Sequence, residues 1–294
     1  MSDLLHQSRG TMEGVGDAGE QHESPLTWDR GALKVNPAFQ DRLEALGLTT
    51  VEAFLKLSGS VVREIDSRVT RRIDLGSLVI YLKQHGTPHW RELLVPLLRF
   101  SKPTLGAEPE WSAIIEFHRL SIPTVEPVAF GVHRHGSFLA TQDLSAKCDL
   151  KSWVRECRTR IQHDGNWRPC DAAQANRFTE RLAVIVARMH RHGFHHQDLY
   201  LNHVLWLPSK PEGSPDLRII DLGRVASARL FRRRWILKDL AQLHYSAIGV
   251  PGTVQMRFLR LYLGRRLQRS DRRWIRWILW KSNRIARHTV KHAL

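Results

Sequence analysis

The chain is poor in the features that mark several large protein classes. Its 294 residues hold three cysteines, Cys148, Cys157 and Cys170, with no CxxC pair and one left over. That count and spacing read as reduced thiols in a cytosol rather than a disulfide framework. No apolar run approaches the roughly 18–20 residues that span a bilayer; Leu93 to Leu98 and Leu182 to Ala187 are of core length. The N-terminus lacks a basic start followed by an apolar stretch, so no secretory signal is expected. Histidines number 16, yet there is no HExxH and no paired Cys/His spacing, which argues against a zinc site. Glycine is not gathered into a phosphate-cradling run: only Gly59 stands near residue 60, and only Gly76 in the hairpin that follows. Acids are scarce as well, 29 against 45 Lys and Arg, for a net charge of +16.

That charge is concentrated. Between Arg257 and Leu294 there are twelve Lys or Arg and one acid, Asp271, so about two-thirds of the excess lies in the last 38 residues. Such a block implies a polyanionic partner: acidic lipid, an anionic glycolipid or nucleic acid. No recognised nucleic-acid-binding motif accompanies it, which ranks nucleic acid last.

With 42% hydrophobic residues the chain can fill one large domain or two lobes sharing a cleft. Residues 1–28 are polar and Gly-rich and are expected to be disordered. Pro37 to Leu57 suggests two short helices, with Phe39, Leu43 and Leu46 at helical spacing and Gly47 as a stop. Val61 to Leu75 and Leu78 to Gln84, around Gly76-Ser77, read as a hairpin that delivers Lys83 at a strand end. Trp90 to Phe100 is expected to be helical. Pro109 suits the first turn of a helix over Glu110 to Leu120. Val125 to Phe130 and Ser137 to Thr141 read as an antiparallel pair. Helices dominate after Asp143, capped by Asp149 or Asp171, and Phe178 to His192 forms a long amphipathic helix stopped by Gly193. Leu205 to Leu207 and Leu217 to Ile220 are short strands. The expected fold is therefore α+β and bilobal, with a small antiparallel-sheet lobe over 29–142 and a mainly helical lobe over 143–264. A basic Trp-bearing helical segment follows over 265–294.

Two carboxylates stand out: Asp198, in His195-His196-Gln197-Asp198-Leu199-Tyr200-Leu201-Asn202-His203, and Asp221, in Ile220-Asp221-Leu222-Gly223. In protein-kinase-like folds an acid at the first position orients the acceptor hydroxyl and takes its proton. One at the second holds the magnesium that bridges the ATP phosphates. Lys83 is the candidate cation for the α/β-phosphates and Glu110 its ion-pair partner, with Glu116 as a fallback. Taken alone, Lys83 is equally a solvated strand-end lysine, and Glu110 an acid favoured by a helix N-terminus. His203 occupies the place where kinases usually carry a metal-binding Asn. Imidazole can ligate a divalent metal, but magnesium prefers oxygen, so His203 can instead steady Asp198, and Asn202 is its alternate. His196 is expected to brace the loop. Gly223 would allow an unusual turn conformation, and cover of the phosphates, in place of a Gly-rich loop, is expected from backbone amides of an atypical turn or from Arg71 and Arg72.

From about Ser60 to Gly264 the chain resembles the lipopolysaccharide kinases, which phosphorylate heptose or Kdo in the lipid A–core region. The segments that carry the resemblance are Tyr81-Leu82-Lys83-Gln84-His85, Leu105-Gly106-Ala107-Glu108-Pro109-Glu110-Trp111 and His196-Gln197-Asp198-Leu199-Tyr200-Leu201-Asn202-His203. Ile220-Asp221-Leu222-Gly223-Arg224 and Arg234-Trp235-Ile236-Leu237-Lys238-Asp239-Leu240 complete the set. The resemblance implies ATP and Mg2+ as cofactors, Lys83 and Glu110 as the ATP-positioning pair, Asp198 as catalytic base, and Asp221 with His203 at the metal. It also implies a hinge over Thr141 to Leu144, with Gln142 and Leu144 offering backbone hydrogen bonds to adenine, and Asp239 bracing the catalytic loop. Gln197 stands where many relatives carry Arg, which argues against control by activation-loop phosphorylation.

The expected reaction is phosphorylation of a sugar hydroxyl, heptose or Kdo, on the anionic lipopolysaccharide core at the cytoplasmic face of the inner membrane. The alternatives are a kinase for another small-molecule or protein acceptor, or a non-catalytic kinase-like module that binds membrane. In the basic segment, Trp274, Trp277, Ile278 and Lys281 share a helical face. That face reads either as an interfacial surface docking on an anionic membrane or as the side of a helix packed on the core.

Overall fold

The computed structural model describes residues 24–65, 67–86, 106–208, 213–227 and 232–292. The helix expected over Trp90 to Phe100, and Pro103 after it, lie outside these residues.

The N-terminal lobe is one antiparallel sheet of seven strands, β1 (Leu26–Trp28), β2 (Leu33–Val35), β3 (Ser60–Ile65), β4 (Arg68–Asp74), β5 (Val79–His85), β6 (Pro127–His133) and β7 (Gly136–Gln142). Their spatial order is β1-β2-β6-β7-β5-β4-β3. Helices α1 (Gln40–Ala45) and α2 (Val51–Leu55) seal one face. Thr50 caps α2 by accepting a hydrogen bond from the Ala53 amide. Phe54, Leu82 and Phe138 are fully buried there, with the rings of Phe54 and Phe138 stacked at 4.9 Å. Period-2 alternation assigns the other face. Leu139, one residue past Phe138, joins Phe130 and helix α3 (Glu108–Arg119) in a second core that also contains Trp111, Ile114 and Phe117. Lys83 pairs with Leu139 across the ladder. It therefore shares the α3 face, while its neighbour Leu82 points the opposite way.

Two expectations for this lobe are corrected. Leu26–Trp28, inside the segment expected to be disordered, forms the edge strand paired with Leu33–Val35. The stretch expected as a single strand over Val61 to Leu75 is two, β3 and β4, which pair from Ser60↔Arg72 to Ile65↔Arg68.

The C-terminal lobe is mainly helical: α4 (Leu150–Asp164), α5 (Pro169–Arg191), α6 (Arg232–Ser246), α7 (Gly252–Leu263) and α8 (Arg272–His292). Short strands β8 (Cys148–Asp149), β9 (Phe194–His195), β10 (Val204–Leu207), β11 (Asp216–Ile219) and β12 (Ala226–Ser227) hold the loops between them. Asp149 caps α4 through the Ser152 amide at 2.9 Å. On α5 the buried Phe178, Leu182, Ile185, Val186 and Met189 follow helical spacing. This helix starts nine residues earlier than its apolar pattern suggests, because Pro169 opens the first turn and Asp171 there pairs with Arg160 of α4 at 2.9 Å. Gly193, at φ +85°, ends it. Thr124 ties the lobes by donating its hydroxyl to the Ile219 carbonyl at 2.6 Å.

Helix α8 packs against α6, and the His244 ring and the Ser282 hydroxyl meet at 2.8 Å. Ile278 is buried, with Trp274 and Lys281 half-buried beside it, whereas Trp277 turns outward at 42% exposure. Packing thus divides the four-residue face expected from spacing. Trp277, Leu279 and Trp280 look out among Arg272, Arg273, Arg276 and Arg284.

Candidate active site

The site lies where the α3 face of the sheet meets the loops after β9 and β11. Lys83 Nζ is 2.5 Å from Glu110 Oε1 and 3.9 Å from Asp221 Oδ1. Glu110 is only 5% exposed although it sits in the first turn of α3. A carboxylate that buried needs a cation, and Lys83 supplies it. Burial disfavours the Lys83 ammonium, but the charges of Glu110 and Asp221 outweigh it and hold its pKa above the ordinary lysine value. Asp221 behaves in the mirror sense. Burial pushes its carboxyl up, yet Lys83, His203, His196 and Arg224 together hold it below the usual range.

Asp221 lies in the left-handed region at φ +61°. Aspartate tolerates this conformation better than most residues, and it turns the carboxylate back toward Lys83. The conformational freedom expected at Gly223 is therefore exercised at Asp221. Gly223 instead sits inside the 3-10 turn Leu222–Arg224.

His203 stands between the two acids. Its Nδ1 donates to the backbone carbonyl of Asp198 at 2.8 Å, and its Nε2 faces Asp221 Oδ2 at 3.7 Å. The first bond assigns the Nδ1–H form, so the neutral ring presents its Nε2 lone pair to the site. Asp198, His203 and Asp221 can each offer a ligand atom within 4.8 Å of the others.

The loop bearing Asp198 is held from below by α6. Asp239, with no exposure, accepts the amides of His196 and Gln197 at 2.8 Å each and the His190 ring at 3.2 Å. Gln197 is thereby kept at φ +64°, a strained value for a long side chain. Asp239 faces inward, away from the helix-surface pairing with Lys238 or Arg234 that its neighbours allow. One turn on, Gln242 accepts the Leu199 amide at 3.2 Å and donates to the Gln197 carbonyl at 3.1 Å. The buried His196 ring meets the Ile220 carbonyl at 3.0 Å, linking the Asp198 loop to the Asp221 turn, and burial lowers its pKa.

At the far edge, Gln142 ends β7 with its amide engaged by the Glu126 carbonyl at 2.9 Å, and half-buried Leu144 follows. Among the described residues no backbone hydrogen bond occupies the Leu144 amide. Arg72 pairs with Asp143 at 2.9 Å, and Arg71 with Gln84. These are the partners of the two arginines expected near the phosphates. Arg63 of β3 instead lies within electrostatic reach of Lys83.

Sequence reasoning missed three members. Arg224 Nη1 is 3.7 Å from Asp198 Oδ1; its sign was an arginine three residues after Asp221, inside a segment that carries the resemblance. Gln242 is signalled by its i, i+3 spacing from Asp239. Tyr262 accepts or donates at 2.9 Å to His190 Nδ1, a contact 72 residues apart in sequence with no local trace.

The chain is similar to known proteins over most of its length. Residues 52–262 match the model of the Lipopolysaccharide kinase (Kdo/WaaP) family. The lipopolysaccharide core heptose(I) kinase WaaP of Pseudomonas aeruginosa is 32% identical over 251 residues, covering 81% of this chain and 91% of that one. Its counterpart from Escherichia coli K12 is 29% identical, covering 81% and 92%. A solved structure of WaaP in complex with acyl carrier protein superposes with a TM-score of 0.66 at 28% identity, covering 86% of this chain and 98% of that one. With its two-lobed fold and most of its length matched, the chain belongs to the lipopolysaccharide kinase (Kdo/WaaP) family.

Proposed function

We propose that this chain transfers the γ-phosphoryl group of ATP to a heptose or Kdo hydroxyl of the lipopolysaccharide core, with a divalent metal. The observation that carries the reading is the convergence of Lys83, Glu110, Asp198, His203 and Asp221 from four separate segments. Lys83, fixed by Glu110, is placed to hold the α/β-phosphates. Asp198 is placed to orient the acceptor hydroxyl and take its proton. Its loop is braced by Asp239 and Gln242 so that the carboxylate is set before substrate arrives. Gln142 and Leu144 border the adenine edge of the cleft.

The donor set suits a divalent ion. Asp221 and the Nε2 lone pair of His203 face each other, with the Asp198 carboxylate in reach. Mg2+ bound there would neutralise phosphate charge. Arg224 is placed to balance charge at the acceptor side.

We place the reaction at the inner face of the cytoplasmic membrane. Among the described residues no helix is long and apolar enough to cross a membrane. The outward face of α8 supports peripheral docking instead. Trp277 and Trp280 are 42% and 55% exposed, and Arg273 and Arg284 lie over their rings at 4.7 and 5.9 Å. Indoles suit the headgroup level and arginines lipid phosphates.

The test is transfer from labelled ATP to lipid A–core acceptor, beside Asp198→Asn. Loss of a positioned general base is expected to slow transfer by about 10²–10⁴-fold with nucleotide binding retained. Unchanged transfer would sink the assignment of Asp198.

A further inference from the structure

Of the cations gathered next to Asp198, only Arg224 has a share in the chemistry described so far. Arg224, after the Asp221 turn, approaches the Asp198 carboxylate at 3.7 Å. Lys238, one residue before the bracing Asp239, lies within electrostatic reach of both Asp198 and Arg224. On the same face of α6, one turn earlier, is Arg234. The indole of Trp235 joins the two: the Arg234 guanidinium carbon is 5.3 Å and the Lys238 ammonium 5.5 Å from its centroid. From α8, Lys281 faces Arg234, with Arg284 beside it.

This arrangement is electrostatically unfavourable as it stands. Burial lowers the Lys238 pKa; Asp239 and Asp198 oppose that, while Arg224 and Lys281 add to it. For Lys281 burial acts first and then Arg234 and Arg284, all in the same direction, with no acid to oppose them. Folding has therefore gathered like charges and half-buried two ammonium groups, Lys238 and Lys281; among the described residues the acids that reach Lys238 are Asp239 and the Asp198 carboxylate itself, and none acts on Lys281. Solvated basic faces spread their charges outward, whereas these converge toward the catalytic carboxylate. The belt is continuous from the Asp198 loop to the C-terminal helix because α6 and α8 pack side by side.

We infer that Arg224, Arg234, Lys238 and Lys281 form an acceptor subsite that takes a phosphate or carboxylate group carried by the sugar substrate and thereby presents a neighbouring hydroxyl to Asp198. The anion satisfies the cations, and the fixed spacing between anion and hydroxyl makes the subsite a selector of acceptors. The inference rests on the phosphotransfer reading above and adds to it the residues that recognise the acceptor.

The experiment compares Lys238→Gln, Lys281→Gln and, as a charge-matched control, Arg155→Gln at an exposed position of α4. Acceptor lipooligosaccharide is supplied in neutral-detergent micelles. Removing one charge-assisted contact is expected to raise the acceptor KM roughly tenfold, with the KM for ATP unchanged, which also reports correct folding. The control should match wild type. Phosphatase treatment of the acceptor separates the two anion sources. If it abolishes the gap between wild type and variants, phosphate is the group bound; a gap that persists assigns carboxylate. Acceptor KM values equal to wild type in both variants would overturn the subsite, as would an equal loss in the control. Binding of the same micelles in the presence of a non-hydrolysable ATP analogue is measured in parallel. Binding that weakens in the variants while wild type transfers no phosphate would uphold the subsite and refute the transferase reading. Transfer by wild type with unaltered variants would do the reverse.

Discussion

Substitution of Asp239 by asparagine is the sharpest test of how this site is held. The side chain is fully buried and accepts three hydrogen bonds, from the amides of His196 and Gln197 at 2.8 Å and from the His190 ring at 3.2 Å. Oδ2 takes two of them and Oδ1 the third. Asparagine has one acceptor oxygen, so in either orientation its NH2 meets a buried N–H. At least one donor is left unsatisfied, costing about 1–3 kcal/mol, and the bonds that survive fall from charge-assisted to neutral strength, about 1 kcal/mol each. The sum is about 3–5 kcal/mol, a large share of the roughly 5–15 kcal/mol that holds a native domain. Urea melts followed by fluorescence read it as a fall in midpoint with little change in slope. The sign of the pH dependence is fixed too. Burial works to raise the Asp239 carboxyl, but the hydrogen bond and charge of His190, with His196, hold it below the ordinary value. Its contribution is therefore complete above the unfolded pKa of about 3.9 and is lost as pH falls through the lower folded value. The deficit of Asp239→Asn should stay constant from about pH 5 to 8 and shrink only in stronger acid. Turnover should fall as well, since Gln197 at φ +64° is released from its strained position. A variant within about 1 kcal/mol of wild type at neutral pH would refute the reasoning.

Two further outcomes are expected. His85 carries a pKa pushed down to about 4 by burial, with Arg68 and Lys83 adding to the effect. The unfolded chain binds its proton near pH 6.5, so stability should drop by up to about 3 kcal/mol as pH falls from about 6.5 to 4; His85→Gln should flatten that slope in urea midpoints taken across the range. At the other end of the molecule, Trp277→Ser/Trp280→Ser should weaken co-sedimentation with vesicles of anionic lipid at least tenfold, while solution turnover on a soluble acceptor stays at the wild-type level. Equal sedimentation would remove the indoles from any membrane role.

Local chemistry made much of this molecule readable from its residues. Turn and helix signals such as Asp149 before α4, Pro109 within the first turn of α3 and Gly193 after α5 act over a few residues, and those elements stand close to where they were expected. The carboxylates were legible because each follows a strand or helix end in a fixed local pattern. What escaped depends on contacts distant in sequence. Leu26–Trp28 is a strand only because Leu33–Val35 returns beside it. Tyr262 reaches His190 only because α7 packs on α5. The division of Trp274 and Ile278 from Trp277 depends on where α6 lies, since helical spacing alone admits either face. The left-handed turn was expected at Gly223 from residue preference and found at Asp221, where the ionic contact with Lys83 favours the conformation.

The packing of α8 on α6 has a consequence for scale. Ile278 is buried and Ser282 meets His244, while Asp239, on α6 itself, carries the backbone under Asp198. No linker intervenes between the surface bearing Trp277 and Trp280 and the Asp198 carboxylate. With that surface on a leaflet, the helix pair works as a gauge block that sets one height for Asp198 above the lipid headgroups. Sugars nearer to or farther from the bilayer than that height would be passed over for reasons of reach alone, before any chemical discrimination begins.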